Sequence, residues 1–121
     1  MYLIKDVSEK VGISAHTIRY YEKCGLLPHI SRDGNGIRKF SQDDIFWLEI
    51  IKCLKNTGMT IENIKGIVDL SLKGNETKNE RKEILFDHRK KILEQIKELK
   101  DNLKKIDLKI AWYEDDSNFC K

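Results

Sequence analysis

Residues Ser14–Cys24 read SAHTIRYYEKC and predict a short, well-delimited helix. Ser14 is a favourable N-cap, because its hydroxyl can accept a hydrogen bond from the backbone N–H of Thr17. Gly25 favours a left-handed C-terminal end, and Pro28 prevents the helix from resuming. A helix of about ten residues is too short to be stable alone, so this one is expected to pack against other elements.

The two sides of this helix differ in chemistry. Ile18 and Tyr21 are three residues apart and are expected to face a core. The opposite side offers imidazole, hydroxyl and guanidinium groups, which suit phosphates and base edges. The exposed candidates, including the cap, are Ser14, His16, Thr17, Arg19 and Tyr20. An ordinary surface helix with two half-buried tyrosines fits the same stretch equally well.

The residues before this helix favour the first interpretation. Apolar side chains recur at helical spacing through Leu3–Val11, and Gly12 ends that pattern. Ile13 then crosses a three-residue turn into Ser14. Two short helices joined by a tight turn that contains glycine are typical of a helix-turn-helix, whose second helix enters the major groove.

A hairpin is predicted after Pro28. The runs His29–Ser31 and Ile37–Phe40 flank RDGNG, which is dense in turn residues. Three cations surround the tip: Arg32, Arg38 and Lys39. A plain connector is the alternative, but this charge favours a wing that contacts the phosphate backbone.

Two further helices supply most of the apolar mass of the first 75 residues. The third is predicted to begin at Ser41 and to end at Gly58, with Phe46 beside its apolar stripe; the stripe is Trp47, Ile50, Ile51 and Leu54. Thr60 is expected to cap the fourth, whose stripe is Ile61, Ile64, Ile67, Val68 and Leu72.

The last segment carries a heptad pattern and no Gly or Pro. Its apolar positions alternate in steps of four and three, at Ile92, Ile96, Leu99, Leu103, Ile106 and Ile110. A helix from Thr77 to about Glu114 would be roughly 55 Å long. Such a seam needs a partner helix, and a second copy of the chain is the simplest candidate. We therefore expect a DNA-binding domain over residues 1–75, a dimerisation helix over 76–114 and a short tail over 115–121.

Charge and composition agree with these expectations. The net charge of the 121 residues is only +3, but residues 10–39 hold six Lys or Arg against two acidic residues. No apolar run approaches a membrane span, and no signal peptide is apparent. Three cysteines without a C-x-x-C arrangement favour the reducing cytoplasm over a disulfide framework.

The order of these parts resembles the MerR family of bacterial transcription regulators. The resemblance rests on TIRYYE with GLLP, the wing GIRKFS, GMTIENI and the long terminal helix, and it runs from Tyr2 to about Glu114. It implies a mainly α fold, with a winged helix-turn-helix DNA-binding domain and a C-terminal helix that dimerises as an antiparallel coiled coil. It also implies a palindromic operator inside a promoter, distorted so that RNA polymerase can engage it.

The resemblance carries DNA contacts over to four positions: Thr17, Arg19, Tyr20 and Arg38. Ser14, His16, Arg32 and Lys39 are added from their expected exposure and charge. Relatives of this family that sense metals place two or more thiols beyond the dimer helix, whereas Cys120 stands there without a second Cys or His. No metal site and no cofactor are therefore predicted.

Cys53 is the candidate effector site. Its stretch, Asp44–Thr60, is similar to the aldehyde- and thiol-stress-responsive subgroup of the family, in which one cysteine on this helix is the proposed sensor. Lys52 and Lys55 could favour its thiolate. A small buried apolar side chain is the alternative for Cys53, and Cys24 is expected only to pack.

Three other classes of protein account for less of this sequence. An enzyme is not expected, because no nucleophile–base pair, phosphate loop or paired carboxylates occur in a recognisable motif. An excisionase-like architectural DNA binder would share the helix-turn-helix and wing without needing the long helix. A coiled-coil adaptor would share the long helix without needing Arg19 and Arg38, and a metal-responsive regulator of the same family also stays open.

Overall fold

The computed structural model describes residues 1–115 of the chain, which are mainly helical. The helices are α1 (Ile4–Val11), α2 (Ala15–Lys23), α3 (Gln42–Asn56), α4 (Ile61–Leu72) and α5 (Lys78–Glu114); a single 3-10 turn covers Asn75–Thr77, and the strands are β1 (Ser31–Arg32) and β2 (Arg38–Lys39). Two compact units result: Met1–Ile84, called the head here, and a second that begins at Leu85.

The predicted helix-turn-helix is present in the head. Gly12 ends α1 in a left-handed conformation with φ +74°, and the Ser14 hydroxyl caps α2 by accepting from Thr17 N at 3.1 Å. Lys52 of α3 closes the turn, because its Nζ donates to the carbonyl of Val11 at 2.8 Å. A Cβ on Gly12 would lie 2.9 Å from that Nζ, which is the movable end of a flexible side chain, so it is the left-handed backbone conformation that favours glycine.

The predicted hairpin is also present, but it is shorter than expected. Its two strands pair antiparallel, with Ser31 opposite Lys39 and Arg32 opposite Arg38. The expected strand over His29–Ser31 is wrong at its start, because His29 lies in a turn directly after Pro28. Beyond β2 the backbone of Phe40 exchanges two hydrogen bonds of 2.8 Å with Tyr2, which ties the hairpin to the N-terminal segment.

The core-facing side of α3 is confirmed at Ile51 and Leu54, but the predicted stripe misses Ile45 and Leu48. Its buried residues are Ile45, Leu48, Ile51 and Leu54. Trp47 and Ile50 are only partly buried, and Phe46 is 64% exposed. Nearly every residue from Ile45 to Leu54 is apolar or aromatic, so two helical stripes compete, and packing against α1 and α4 selects between them.

Helix α4 follows its prediction except at its last residue. Ile64, Ile67 and Val68 are buried, whereas Leu72 is 53% exposed because the helix ends there. The connection to α5 is fixed by Thr77, a buried polar residue. Its hydroxyl donates to the carbonyl of Leu70 at 2.6 Å.

Helix α5 has 37 residues, in agreement with the expected long terminal helix. At 1.5 Å per residue it is about 55 Å long. None of its residues is buried within this single chain. Within residues 1–115, no helix combines the length and the apolar character that a membrane crossing requires.

A pair of α3 variants tests the register of this helix. Leu48 is fully buried and Phe46 is exposed. Leu48→Ala should lower the free energy of unfolding by about 2–5 kcal/mol, whereas Phe46→Ala should change it by less than about 0.5 kcal/mol. Urea unfolding at one protein concentration, followed by circular dichroism, measures both values. Equal losses, or a larger loss for Phe46→Ala, would contradict the observed register.

Candidate nucleic-acid interface

The two sides of α2 are as different as the sequence indicates. Ile18 has no exposed surface and Tyr21 is 8% exposed, and both belong to the head core. On the opposite side, His16 and Arg19 are exposed, and Tyr20 is 50% exposed. The hydrogen-bonding groups predicted for DNA contact therefore lie on the free side of the helix.

The ends of α2 order two of its candidate contact residues. At the N-terminal end the Ser14 hydroxyl donates to Thr17 Oγ1 at 2.9 Å, besides capping the helix. At the C-terminal end Tyr20 is hydrogen-bonded to the thiol of Cys24, which raises the pKa of the Tyr20 phenol. Thr17 is only partly exposed, because it is held against the cap.

Glu22 joins the wing to α2. Its Oε1 accepts from Arg38 Nε at 2.8 Å and from Arg32 NH2 at 3.1 Å. Glu22 and Arg38 are only 21% and 24% exposed, so this ion pair is partly shielded from solvent. One carboxylate thus holds both strands of the hairpin beside the last turn of the helix.

The hairpin tip has its own internal support. Arg32 NH1 donates to the carbonyl of Gly36 at 2.9 Å and crosses the turn. Backbone N–H groups of Ile37 and Asn35 donate to Asp33 Oδ1 at 3.0 and 2.9 Å, and they lower the pKa of the Asp33 carboxyl. Lys39 Nζ lies 4.0 Å from Asp33 Oδ2.

Glu22 was not among the predicted site residues, although it is what brings them together. An acidic residue among cations is a usable signal, since Glu22 is the only acid in α2. Its partners could not be read from the sequence, however, because they are 10 and 16 residues away along the chain. The alignment of the hairpin beside α2 depends on tertiary contacts.

The cysteines fall in different environments. Cys53 is exposed on α3, so its interpretation as a small buried side chain is wrong. Lys52, expected to favour its thiolate, instead donates to the carbonyl of Val11. Cys24 is partly buried beside Tyr20, and the predictions about Cys120 lie outside the described residues. In the described range, 1–115, no three His, Cys, Asp or Glu side chains are grouped to hold a metal ion.

Comparison with known proteins gives matches over nearly all of the chain. Residues 2–71 match a family described as "MerR HTH family regulatory protein", and residues 46–108 match one described as "MerR, DNA binding". A helix-turn-helix transcriptional regulator of Haemophilus influenzae is 41% identical over 113 residues, covering 93% of this chain and 84% of that protein. The regulator AdhR of Bacillus subtilis is 41% identical over 91 residues, covering 75% of this chain and 65% of AdhR.

Solved structures agree with the sequence matches. The crystal structure of HiNmlR, described as a MerR family regulator lacking the sensor domain and bound to promoter DNA, has a TM-score of 0.85 and 41% identity. It covers 93% of this chain and 90% of the HiNmlR chain. A MerR family regulator from Listeria monocytogenes, described as putative, has a TM-score of 0.89 and 35% identity, covering 96% of this chain and 88% of its own.

The lowered pKa of Asp33 predicts how the wing responds to acid. A carboxyl whose pKa is lower in the folded state contributes stability above its ordinary value of 3.8, and that contribution is lost as the pH falls through the lowered pKa. The amide signals of Asn35 and Ile37 should therefore shift with a midpoint below 3.8 in an NMR titration. Asp33→Asn should abolish this titration, and a midpoint above 3.8 in the unaltered chain would contradict the assignment.

Proposed function

Because the chain belongs to the MerR family of helix-turn-helix regulators, we propose that two copies bind a palindromic operator within a promoter and regulate it by distorting the DNA. The chain is a DNA-binding transcriptional regulator of the MerR type, and its relatives are regulators rather than enzymes. It acts in the cytoplasm, where promoter DNA and RNA polymerase are found. The observation that carries the proposal is the exposed side of α2 lying beside a wing that Glu22 holds.

The proposed contacts divide into two kinds. Arg19, Tyr20 and His16 are exposed on α2, so they are assigned to the major groove, with Ser14 and Thr17 at its start. Arg32, Arg38 and Lys39 are assigned to phosphates on the flanking backbone. Glu22 places the two arginines side by side before DNA arrives, which reduces the entropy lost on binding.

The dimer is proposed from the apolar side of α5. Ile92 is partly buried, while the other five seam residues are 42 to 68% exposed in the single chain: Ile96, Leu99, Leu103, Ile106 and Ile110. Five exposed Ile or Leu side chains at heptad spacing are unfavourable in water, and a second α5 would cover them. We divide the chain as expected from the sequence, with residues 1–75 for DNA, 76–114 for dimerisation and 115–121 as a tail.

Distortion of the operator requires both copies. Bending a duplex of 20–30 base pairs by 40–90° costs about 1–6 kcal/mol. Phosphate contacts from two wings and two α2 helices, held at a fixed separation, can offset that cost. The seam of α5 is therefore part of the proposed mechanism as well as of the assembly.

A response to aldehydes or other electrophiles is proposed at Cys53. Two observations support it: the thiol is exposed, and the preceding residue of α3, Lys52, donates to the carbonyl of Val11 in the turn before α2. Addition of an electrophile to the thiol would place new bulk one position from that contact. A metal-responsive regulator is the weaker alternative, because in residues 1–115 no three potential ligands are grouped.

Two alanine variants separate base contacts from phosphate contacts. Arg19→Ala should weaken operator binding by about 1–3 kcal/mol and relax sequence preference. Arg38→Ala should weaken binding to all sequences. It should also reduce the slope of log affinity against log salt concentration by about one. Electrophoretic titration on operator and scrambled duplexes, with Lys73→Ala as a control that removes a cation elsewhere, measures both effects. Unchanged affinity in both arginine variants would exclude this interface.

A charge-matched pair of α5 variants tests the dimer. Leu103→Glu places a carboxylate in the seam and should yield monomers with little operator affinity. Lys105→Gln changes the net charge equally, lies off the seam and should stay dimeric. Sedimentation velocity at micromolar concentration distinguishes the two states. A monomeric unaltered chain, or a dimeric Leu103→Glu variant, would refute dimerisation through this seam.

Serine variants test the thiol response. Cys53→Ser removes the nucleophile at nearly constant size, so the variant should bind operator while losing induction by aldehydes. Cys24→Ser and Cys120→Ser should keep induction. The assay is in vitro transcription from a promoter with a long spacer, beside mass spectrometry of the three thiols. Full induction of Cys53→Ser would end the proposal for this site.

A further inference from the structure

The head contains a pocket of about 480 Å³ that neither DNA binding nor Cys53 explains. It lies where four parts of the head meet: the segment after α2, the start of α3, the end of α4 and the first turn of α5. Its apolar walls come from Leu27, Pro28, Trp47, Ile67 and Val68. The volume is within the range of cavities that bind small organic molecules.

Most polar groups in the pocket wall already have partners. The Trp47 indole N–H donates to the carbonyl of Leu26 at 2.8 Å, and Ser71 Oγ donates to the carbonyl of Val68 at 2.6 Å. Asp44 Oδ2 accepts the backbone N–H of Ser41 at 2.8 Å and so completes the cap of α3. These groups are therefore already used in hydrogen bonds that stabilise the fold.

Asp43 is the exception among the carboxylates and the guanidinium of the wall. Its exposed carboxylate accepts no hydrogen bond and forms no ion pair with any other residue in the described range. The pocket wall holds two carboxylates, Asp43 and Asp44, against the guanidinium of Arg81 and the imidazole of His29. Arg81 is itself occupied, since its Nε donates to Thr77 Oγ1 at 3.1 Å.

We propose that this pocket binds a small aromatic or alkyl ammonium compound, with its apolar body against Trp47 and Val68 and its cationic group at Asp43. An indole face and a free carboxylate attract the same kind of ligand, because both favour a positive charge beside an apolar group. An anionic ligand would instead meet an excess of negative charge.

The position of the pocket allows a bound ligand to influence the DNA-binding surface. Leu27 and Pro28 link α2 to the wing, and Trp47 is hydrogen-bonded to that link at Leu26. Arg81 lies in the first part of α5. A ligand there contacts the DNA-binding elements and the start of the proposed dimerisation helix at once, so this regulatory role rests on the proposed function.

The test uses the full chain and three probes that differ in charge: benzyltrimethylammonium, benzyl alcohol and phenylacetate. Binding is followed by NMR at the Trp47 indole N–H and the Val68 methyl groups. The cation should bind about tenfold more tightly than phenylacetate, since a carboxylate faces it. Equal affinities, preference for the anion, or no shifts at millimolar concentrations would overturn the proposal.

Asp43→Asn is the informative variant, because the Asp43 side chain makes no hydrogen bond or ion pair within residues 1–115, so the fold should be kept. It should lower the affinity for the cation about fivefold and leave the affinity for benzyl alcohol unchanged. Glu49→Gln removes the same charge from an exposed site on α3 that does not line the pocket, and should change neither probe. Weaker cation binding in Glu49→Gln, or unchanged cation binding in Asp43→Asn, would refute the assignment of Asp43 as the carboxylate that binds the cation.

Operator titrations on the same samples distinguish cation binding from its effect on DNA binding. Saturating cation should change operator affinity of the unaltered chain by about fivefold, and Asp43→Asn should need about five times more cation for the same change. Cation binding without an effect on operator affinity would refute the regulatory role alone. Failure of the unaltered, probe-free chain to bind any promoter duplex would refute the proposed function, while the NMR result would still decide whether the pocket binds a cation.

Discussion

Helix α2 has only nine residues, and a helix this short is not stable alone in water. Its conformation depends on the burial of Ile18 and Tyr21, on the Ser14 cap and on the left-handed Gly25 at its end. The rest of the head provides the packing that keeps α2 helical. Helices α1, α3 and α4 supply the core against which α2 packs, and the outer side of α2 is thereby left exposed for the proposed DNA contacts.

The wing is held to α2 by electrostatics more than by a core of its own. Two strands of two residues each bury little, so their position depends on Glu22 and on the bridge between Tyr2 and Phe40. Because Glu22 is shared by Arg32 and Arg38, the same contact that stabilises the wing also sets the spacing of two proposed phosphate ligands. Fold and function are coupled at that carboxylate.

Local chemistry explains what the sequence could predict. Ser14, Ser41 and Thr60 were each expected to begin a helix, and each side chain accepts the backbone N–H three residues on. Ile45 and Leu48 were missed on the buried side of α3 because apolar residues occupy both possible stripes, so the choice depends on neighbours distant in sequence. The ion pairs of Glu22 and the pocket around Trp47 likewise join segments that lie at least 10 residues apart, and no local pattern encodes them.

Selection of duplexes from a random pool tests most directly whether two heads joined through α5 recognise DNA together. Joint recognition predicts enriched sequences that contain two inverted half-sites at one fixed separation, each complex holding two copies of the chain. Enrichment of single half-sites, or of inverted half-sites at variable separations, would contradict it, since α5 would then not fix the distance between the two heads.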